Sequence, residues 1–198
     1  MFTRNATGIA SIRSIPAVDA LAIAAMAALT LLDAVSPYHP AAGLLSGCAG
    51  VLAATRMWHW GGRHSLKQPL LWILHAGYGW LALGLILRGI TDSTSSSFSS
   101  LATHTLTIGA IGSLTLGMMA RVALGHTGRM LATPPAVAVA FVAITLAAVA
   151  RGALPLVAPH WYFASLVTAG ALWVLAFGTF LVVYAPILWS PRVDGTPG

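Results

Sequence analysis

Three histidines, His75, His104 and His126, are placed where they could do chemistry, because each falls within or at the end of a long apolar run. A neutral imidazole is a ready metal ligand, and an ionisable side chain inside hydrocarbon needs a partner, a ligand or a water cavity. His75 comes six positions after Pro69. On a helix that places it roughly 9 Å inside the run, with Trp72 and Gly79 sharing its face. The competing reading is an imidazole that donates to a neighbouring backbone carbonyl. His104 and His126 are 22 residues apart. On a continuous α-helix they would differ by about 40° in azimuth and roughly 33 Å in height. That separation is too great for one shared ion and implies separate sites, one near each membrane surface.

The residues around them admit two readings each. Arg121 and Arg129 can pair with propionates or other anions, or snorkel to lipid phosphates. His126 stands between Gly125 and Gly128, where a basic residue also serves as a helix carboxyl-terminal cap. His39 and His160 fall at the ends of runs on the side of His104, and interfacial polarity accounts for them. His59 and His64 stand beside Trp58 and Trp60 and read as interfacial anchors. Met118 and Met119 offer thioethers, although methionine more often fills apolar gaps. The single cysteine, Cys48, excludes an intrachain disulfide and a Cys-pair metal site, and reads as a small buried hydrophobe. The sequence has no Cys-x-x-Cys-His attachment site, no Gly-rich phosphate loop and no carboxylate deep in a run, which argues against a covalent cytochrome or a proton pump. No enzyme mechanism follows from these residues.

The elements that must position these groups are membrane helices. Of 198 residues, 58% are hydrophobic and 7% charged, where soluble domains carry roughly a quarter charged residues. Mean hydropathy is +0.84. The net charge of +6 comes from cations that punctuate apolar runs and do not cluster, so no nucleic-acid surface is expected. The expected fold is all-α: one polytopic transmembrane helix bundle over residues 1–198, with spans near 17–35, 41–58, 69–90, 101–124, 135–154 and 160–186. Each run is long enough to cross or nearly cross hydrocarbon. Turns fall at Ser36 to Pro40, Gly61 to Gln68, the serine-rich stretch Asp92 to Ser100, Thr133 to Pro135, and Pro155 to Pro159. The amino terminus resembles a signal peptide, but the run from Ala17 to Val35 lacks a convincing cleavage site and reads as a retained helix.

Sorting cations by side places Arg4, Arg13, Arg56, Arg63, Lys67, Arg121, Arg129 and Arg192 on one surface and Arg88 and Arg151 on the other. The positive-inside rule then puts both termini in the cytoplasm and requires an even number of spans. Span three contains Gly77, Gly79 and Gly84, and span four Gly109, Gly112 and Gly117. Such glycines let helices, or a flat macrocycle, come close to the backbone.

Two segments carry a family resemblance. The first is Pro69-Leu70-Leu71-Trp72-Ile73-Leu74-His75-Ala76-Gly77-Tyr78-Gly79-Trp80, continuing to Leu83-Gly84-Leu85 and preceded by Arg56 and Trp60. The second runs from His104 through Gly109-Ala110-Ile111-Gly112 and Gly117-Met118-Met119 to Arg121, ending Leu124-Gly125-His126-Thr127-Gly128-Arg129. Together they resemble the NnrS family of bacterial inner (cytoplasmic) membrane proteins, described as binding heme and copper in the response to nitric oxide. The resemblance implies b-type heme, with copper as a second metal. It also implies ligands among His75, His104 and His126, with Arg121 and Arg129 near the cofactor and the macrocycle held between spans three and four. Members of the family are usually about twice as long, and the resemblance here is to the carboxyl-terminal half. A homodimer or a second membrane subunit would then replace the missing half, unless the chain is a gene fragment. A cofactor-free interaction subunit and an electron-carrying cytochrome are the alternative readings.

Overall fold

The computed structural model describes residues 8, 14–36, 39–94 and 99–195. Arg4 and Arg13, used above to sort the two surfaces, lie outside these residues, as do Ser95, Ser96 and Ser97 of the serine-rich turn. Among the described residues all regular structure is helical, without strands.

Helix α1 spans Pro16–Val35, α2 Ala41–Trp58 and α3 Pro69–Thr94. The fourth run is composite. A short helix α4 (Ser99–His104) leads into an eight-residue π-helical segment, Thr105–Gly112, which leads into α5 (Ser113–His126). Helix α6 (Pro135–Gly152) follows, then the single turn α7 (Leu154–Val157) and the long α8 (Tyr162–Trp189). Proline stands at or near the first position of α1, α3 and α6, where its missing N–H has no helical partner to lose.

Six long segments therefore form where six were expected. Five are long and apolar enough to cross a membrane: 16–35, 69–92, 99–126, 135–157 and 159–189. The exception is α2, whose 18 residues include Gly43, Ser46, Gly47, Gly50, Thr55 and Arg56. It nevertheless runs antiparallel along α3. A Cβ at Gly89 would fall 2.7 Å from Gly47 Cα, and one at Gly50 would fall 2.7 Å from Ile86 Cγ1. Ser46 Oγ, fully buried, donates to the Leu85 carbonyl at 2.9 Å.

A second close contact joins α3 to the fourth run. A Cβ at Gly84 would lie 2.6 Å from Leu106 Cγ, one at Gly109 2.8 Å from Trp80 Cγ, one at Gly77 2.8 Å from Leu114 Cγ, and one at Gly117 2.8 Å from Ile73 Cγ2. Glycines on each helix thus receive large side chains from the other at four successive levels of an antiparallel pair. Where lipid is as apolar as leucine, such contact is what drives association. Behind this seam lies the main core of Ile73, Leu116, Val137, Phe141, Ile144 and Tyr184.

Helix α1 is held differently. Only 11% of its apolar window is buried, yet both its carboxylates are bridged. Arg56 Nε donates to Asp19 Oδ1 at 2.6 Å, and Arg88 donates from both terminal nitrogens to Asp33 at 2.7 Å each. Arg88 also reaches Asp92 at 3.2 Å. Charge-assisted, partly bidentate bonds of this kind are strong, and separating them in hydrocarbon would leave costly unpaired ions.

Replacing Gly84 by alanine should lower stability by about 1–3 kcal/mol, the range for overpacking a filled site. Gly170→Ala on α8, where nothing lies within 4 Å, should leave it unchanged or slightly higher. Thermal unfolding of both variants in mild detergent checks this contrast.

Candidate functional site

The polar face of α3 opens away from the glycine seam. At the end of α2 the chain passes through Gly61, whose φ of +68° is left-handed. Glycine adopts this region without steric cost, and the backbone turns into a 3₁₀ turn, Gly62–His64. Ser65, buried, donates from Oγ to the Gly62 carbonyl at 2.6 Å. The connection is thereby folded back over the first turns of α3. Between them lies a pocket of about 810 Å³ whose lining includes Met57, Arg63, His64, Trp72, His75 and Gly79. That volume is within the range of small-molecule and cofactor sites.

His75 is half-buried in this pocket. Its Nδ1 lies 2.9 Å from the Leu71 carbonyl. A carbonyl only accepts, so Nδ1 is the donor in this bond. This is the arrangement a ligating histidine uses. Trp60 meets the imidazole edge-on, with centroids 6.1 Å apart at 88°. Trp60 in turn packs on Tyr78 at 4.5 Å. Arg56 sits over Trp60 at 5.3 Å and donates to the Tyr78 hydroxyl at 3.2 Å. The Asp19–Arg56 ion pair thus backs the Trp60–Tyr78 pair against which the His75 ring stands.

His104 lies at the far end of the molecule, half-exposed at the junction of α4 and the π segment. Its Nδ1 is 2.6 Å from the Ser100 carbonyl and 3.2 Å from Ser100 Oγ. The wider turns of the π segment rotate less per residue than an α-helix. The near-alignment of His104 with His126 expected of a continuous α-helix is therefore lost.

His126 is exposed in the last turn of α5. The following residues form a helix cap of the Schellman type. Gly128 has a φ of +69°, its N–H reaches the Gly125 carbonyl at 3.3 Å, and the Arg129 N–H reaches the Leu124 carbonyl at 2.9 Å. Thr127 Oγ1 closes the turn on the Ala123 carbonyl at 2.7 Å. The carboxyl-terminal segment docks on this cap. Val193 N–H donates to the Thr127 carbonyl at 3.2 Å, and Arg192 Nη1 donates to the His126 carbonyl at 3.0 Å. Arg192 also donates from Nε to Asp194 at 2.9 Å, a bond that raises the guanidinium pKa above its usual value. Arg129 has a buried Nη1 without a hydrogen-bond partner, while Arg121 lines a separate pocket with His126.

The three candidate histidines are therefore not brought together. His75 and His126 lie in separate pockets, and His104 is remote from both. Among the described residues no group of three or more His, Cys, Asp or Glu could hold one metal ion. The space between spans three and four, expected to admit a macrocycle, is filled by Leu106, Trp80, Leu114 and Ile73. The open volume beside His75 is on the other face of α3. His64 and Met57, read from sequence as an interfacial anchor and not singled out at all, share the His75 pocket. The only signal for this in the sequence is the Gly61-Gly62 pair that turns the chain. Cys48, expected to be buried, is exposed.

The pocket fits a heme-type group in volume, in its apolar wall with Trp58 and Trp72, in the Nδ1 of His75 held by a carbonyl, and in the cation Arg63 at its lining. The family model described as NnrS protein matches residues 1–192, nearly the whole chain. No curated protein and no solved structure matches it.

Gly128→Ala would force a side chain into the left-handed region and place a Cβ 2.7 Å from Asp194 Cγ. It should cost about 1–3 kcal/mol, measured by thermal unfolding in detergent. His126→Ala, which leaves the backbone cap intact, should cost less than about 0.5 kcal/mol.

Proposed function

The chain belongs to the NnrS family, and from that premise we propose that it is a multi-pass membrane protein of the bacterial cytoplasmic membrane that binds b-type heme and acts in the response to nitric oxide. The observation that carries this reading is His75, set in an 810 Å³ pocket with Nδ1 committed to the Leu71 carbonyl. His75 would hold the group through its Nε2. Arg63 would pair with the acidic groups of the cofactor, and Trp58, Trp72 and the apolar pocket wall would exclude water and set the polarity around it. The group supplies an iron centre able to bind a small neutral gas. His104, at the opposite end with its own Nδ1 committed to a carbonyl, would be a second, independent metal position suited to copper. Both termini would face the cytoplasm, with α2 crossing alongside α3. The exposed outer faces of α1 and α8 would meet a second copy or another membrane subunit.

A second reading, a cofactor-free interaction subunit, is favoured by the glycine seam, which helix packing explains without any ligand.

Optical spectra of protein purified in mild detergent with full heme supply, oxidised and dithionite-reduced, separate the two. Sharp reduced bands in the wild type, lost in His75→Ala and retained in His104→Ala, are expected. A colourless wild type with no bound metal would favour the subunit reading.

A further inference from the structure

The connection from α6 to α8 folds back over the last turn of α6. It runs through the single turn α7 and a 3₁₀ turn, Pro159–Trp161, into α8. Tyr162, the first residue of α8, thereby meets Arg151 in the last turn of α6. The guanidinium carbon lies 4.9 Å from the ring centroid, and Nη2 donates to the Tyr162 hydroxyl at 3.1 Å. Gly152 packs on the fourth run, where a Cβ would fall 3.2 Å from Leu101 Cδ1, so Arg151 stands at the His104 end of the bundle.

Arg151 is only 7% exposed. Its Nε is buried without a hydrogen-bond partner, and its one polar contact among the described residues is the neutral Tyr162 hydroxyl. The chain has no carboxylate side chain to spare for it. Of the four acidic residues, Asp19 is bridged to Arg56, Asp33 and Asp92 to Arg88, and Asp194 to Arg192. The carbonyl end of α6 offers partial charge alone. A buried guanidinium without an anion is costly, so the compensating charge has to come from another molecule. Depth and surroundings identify its class. Arg151 comes 16 residues after Pro135, about 24 Å along α6 and so near the far surface of a hydrocarbon core about 30 Å thick. Around Tyr162 the side chains of Val157, Trp161 and Phe163 are exposed, the composition of a membrane–water interface. The anions found at that depth beside apolar chains are lipid phosphates.

We infer that Arg151 and Tyr162 form a binding site for one phospholipid of net negative charge, of the phosphatidylglycerol type. The Tyr162 oxygen accepts from Arg151 Nη2, and its own O–H donates to a phosphate oxygen. The guanidinium behind it supplies the opposite charge, and the acyl chains lie along Val157 and Phe163. A zwitterionic lipid would bring an ammonium group as well, and no carboxylate side chain is left here to receive it. The inference is independent of any cofactor at His75, which lies in a pocket at the other end of the molecule.

The test is native mass spectrometry of the full chain in mild detergent, titrated with phosphatidylglycerol or phosphatidylethanolamine, each with and without inorganic phosphate. The wild type should retain phosphatidylglycerol at a half-saturation several-fold below that of phosphatidylethanolamine, and inorganic phosphate should not displace it. Tyr162→Phe removes one donor and Arg151→Gln removes the charge. Each should weaken the tightest phosphatidylglycerol step by about fivefold, the weight of roughly one hydrogen bond or one cation at the membrane surface. Tyr162 is exposed and phenylalanine keeps its ring, so that variant tests the site even where Arg151→Gln alters folding. Unchanged retention in Tyr162→Phe would overturn the inference. So would equal retention of the anionic and zwitterionic lipids, or displacement by inorganic phosphate, which would make this a site for a soluble anion.

Discussion

The close approach of α3 to the π segment and α5 governs the rest of the molecule. Hydrophobic transfer does not pull helices together inside lipid, so van der Waals contact has to. Here it is made by Gly77 and Gly84 on one helix and Gly109 and Gly117 on the other, each filled by a large side chain opposite. Committing that face of α3 to the seam leaves Trp72, His75, Ala76 and Gly79 on the outer face, where the 810 Å³ pocket opens. The placement of His75 is thus a consequence of where the glycines are used.

The π segment belongs to the same constraint. Eight residues with wider turns, Thr105–Gly112, present Leu106 and Gly109 to α3 while Gly112 approaches Ile144 of α6 at 3.2 Å from its Cβ position. The fourth run thereby serves two neighbours at once. Electrostatics acts beside this frame: Asp19 and Asp33 tether the lightly buried α1 to Arg56 and Arg88, and Arg56 packs on Trp60 and Tyr78, of which Trp60 meets the His75 ring edge-on.

The sequence signature Leu124 to Arg129 forms a helix cap. Its glycine at 128 is required by a left-handed φ and by the nearness of Asp194. Its threonine closes the helix end, and its histidine lends a backbone carbonyl to Arg192. A motif can be specific because a segment distant in sequence, here Arg192 and Val193, docks on it.

The sequence by itself determined the all-helical membrane class and the positions of six helical runs to within a few residues, because apolar length against bilayer thickness is a one-dimensional property. It also marked His75 as an ionisable group in an apolar run, and the family, through local motifs. Only the tertiary structure decided which glycines receive which side chains, that a π segment interrupts the fourth run, that His64 and Met57 turn in beside His75, and that His75, His104 and His126 stand apart. Those facts depend on contacts between residues far apart in the chain, and on a left-handed turn at Gly61 whose direction no periodicity encodes.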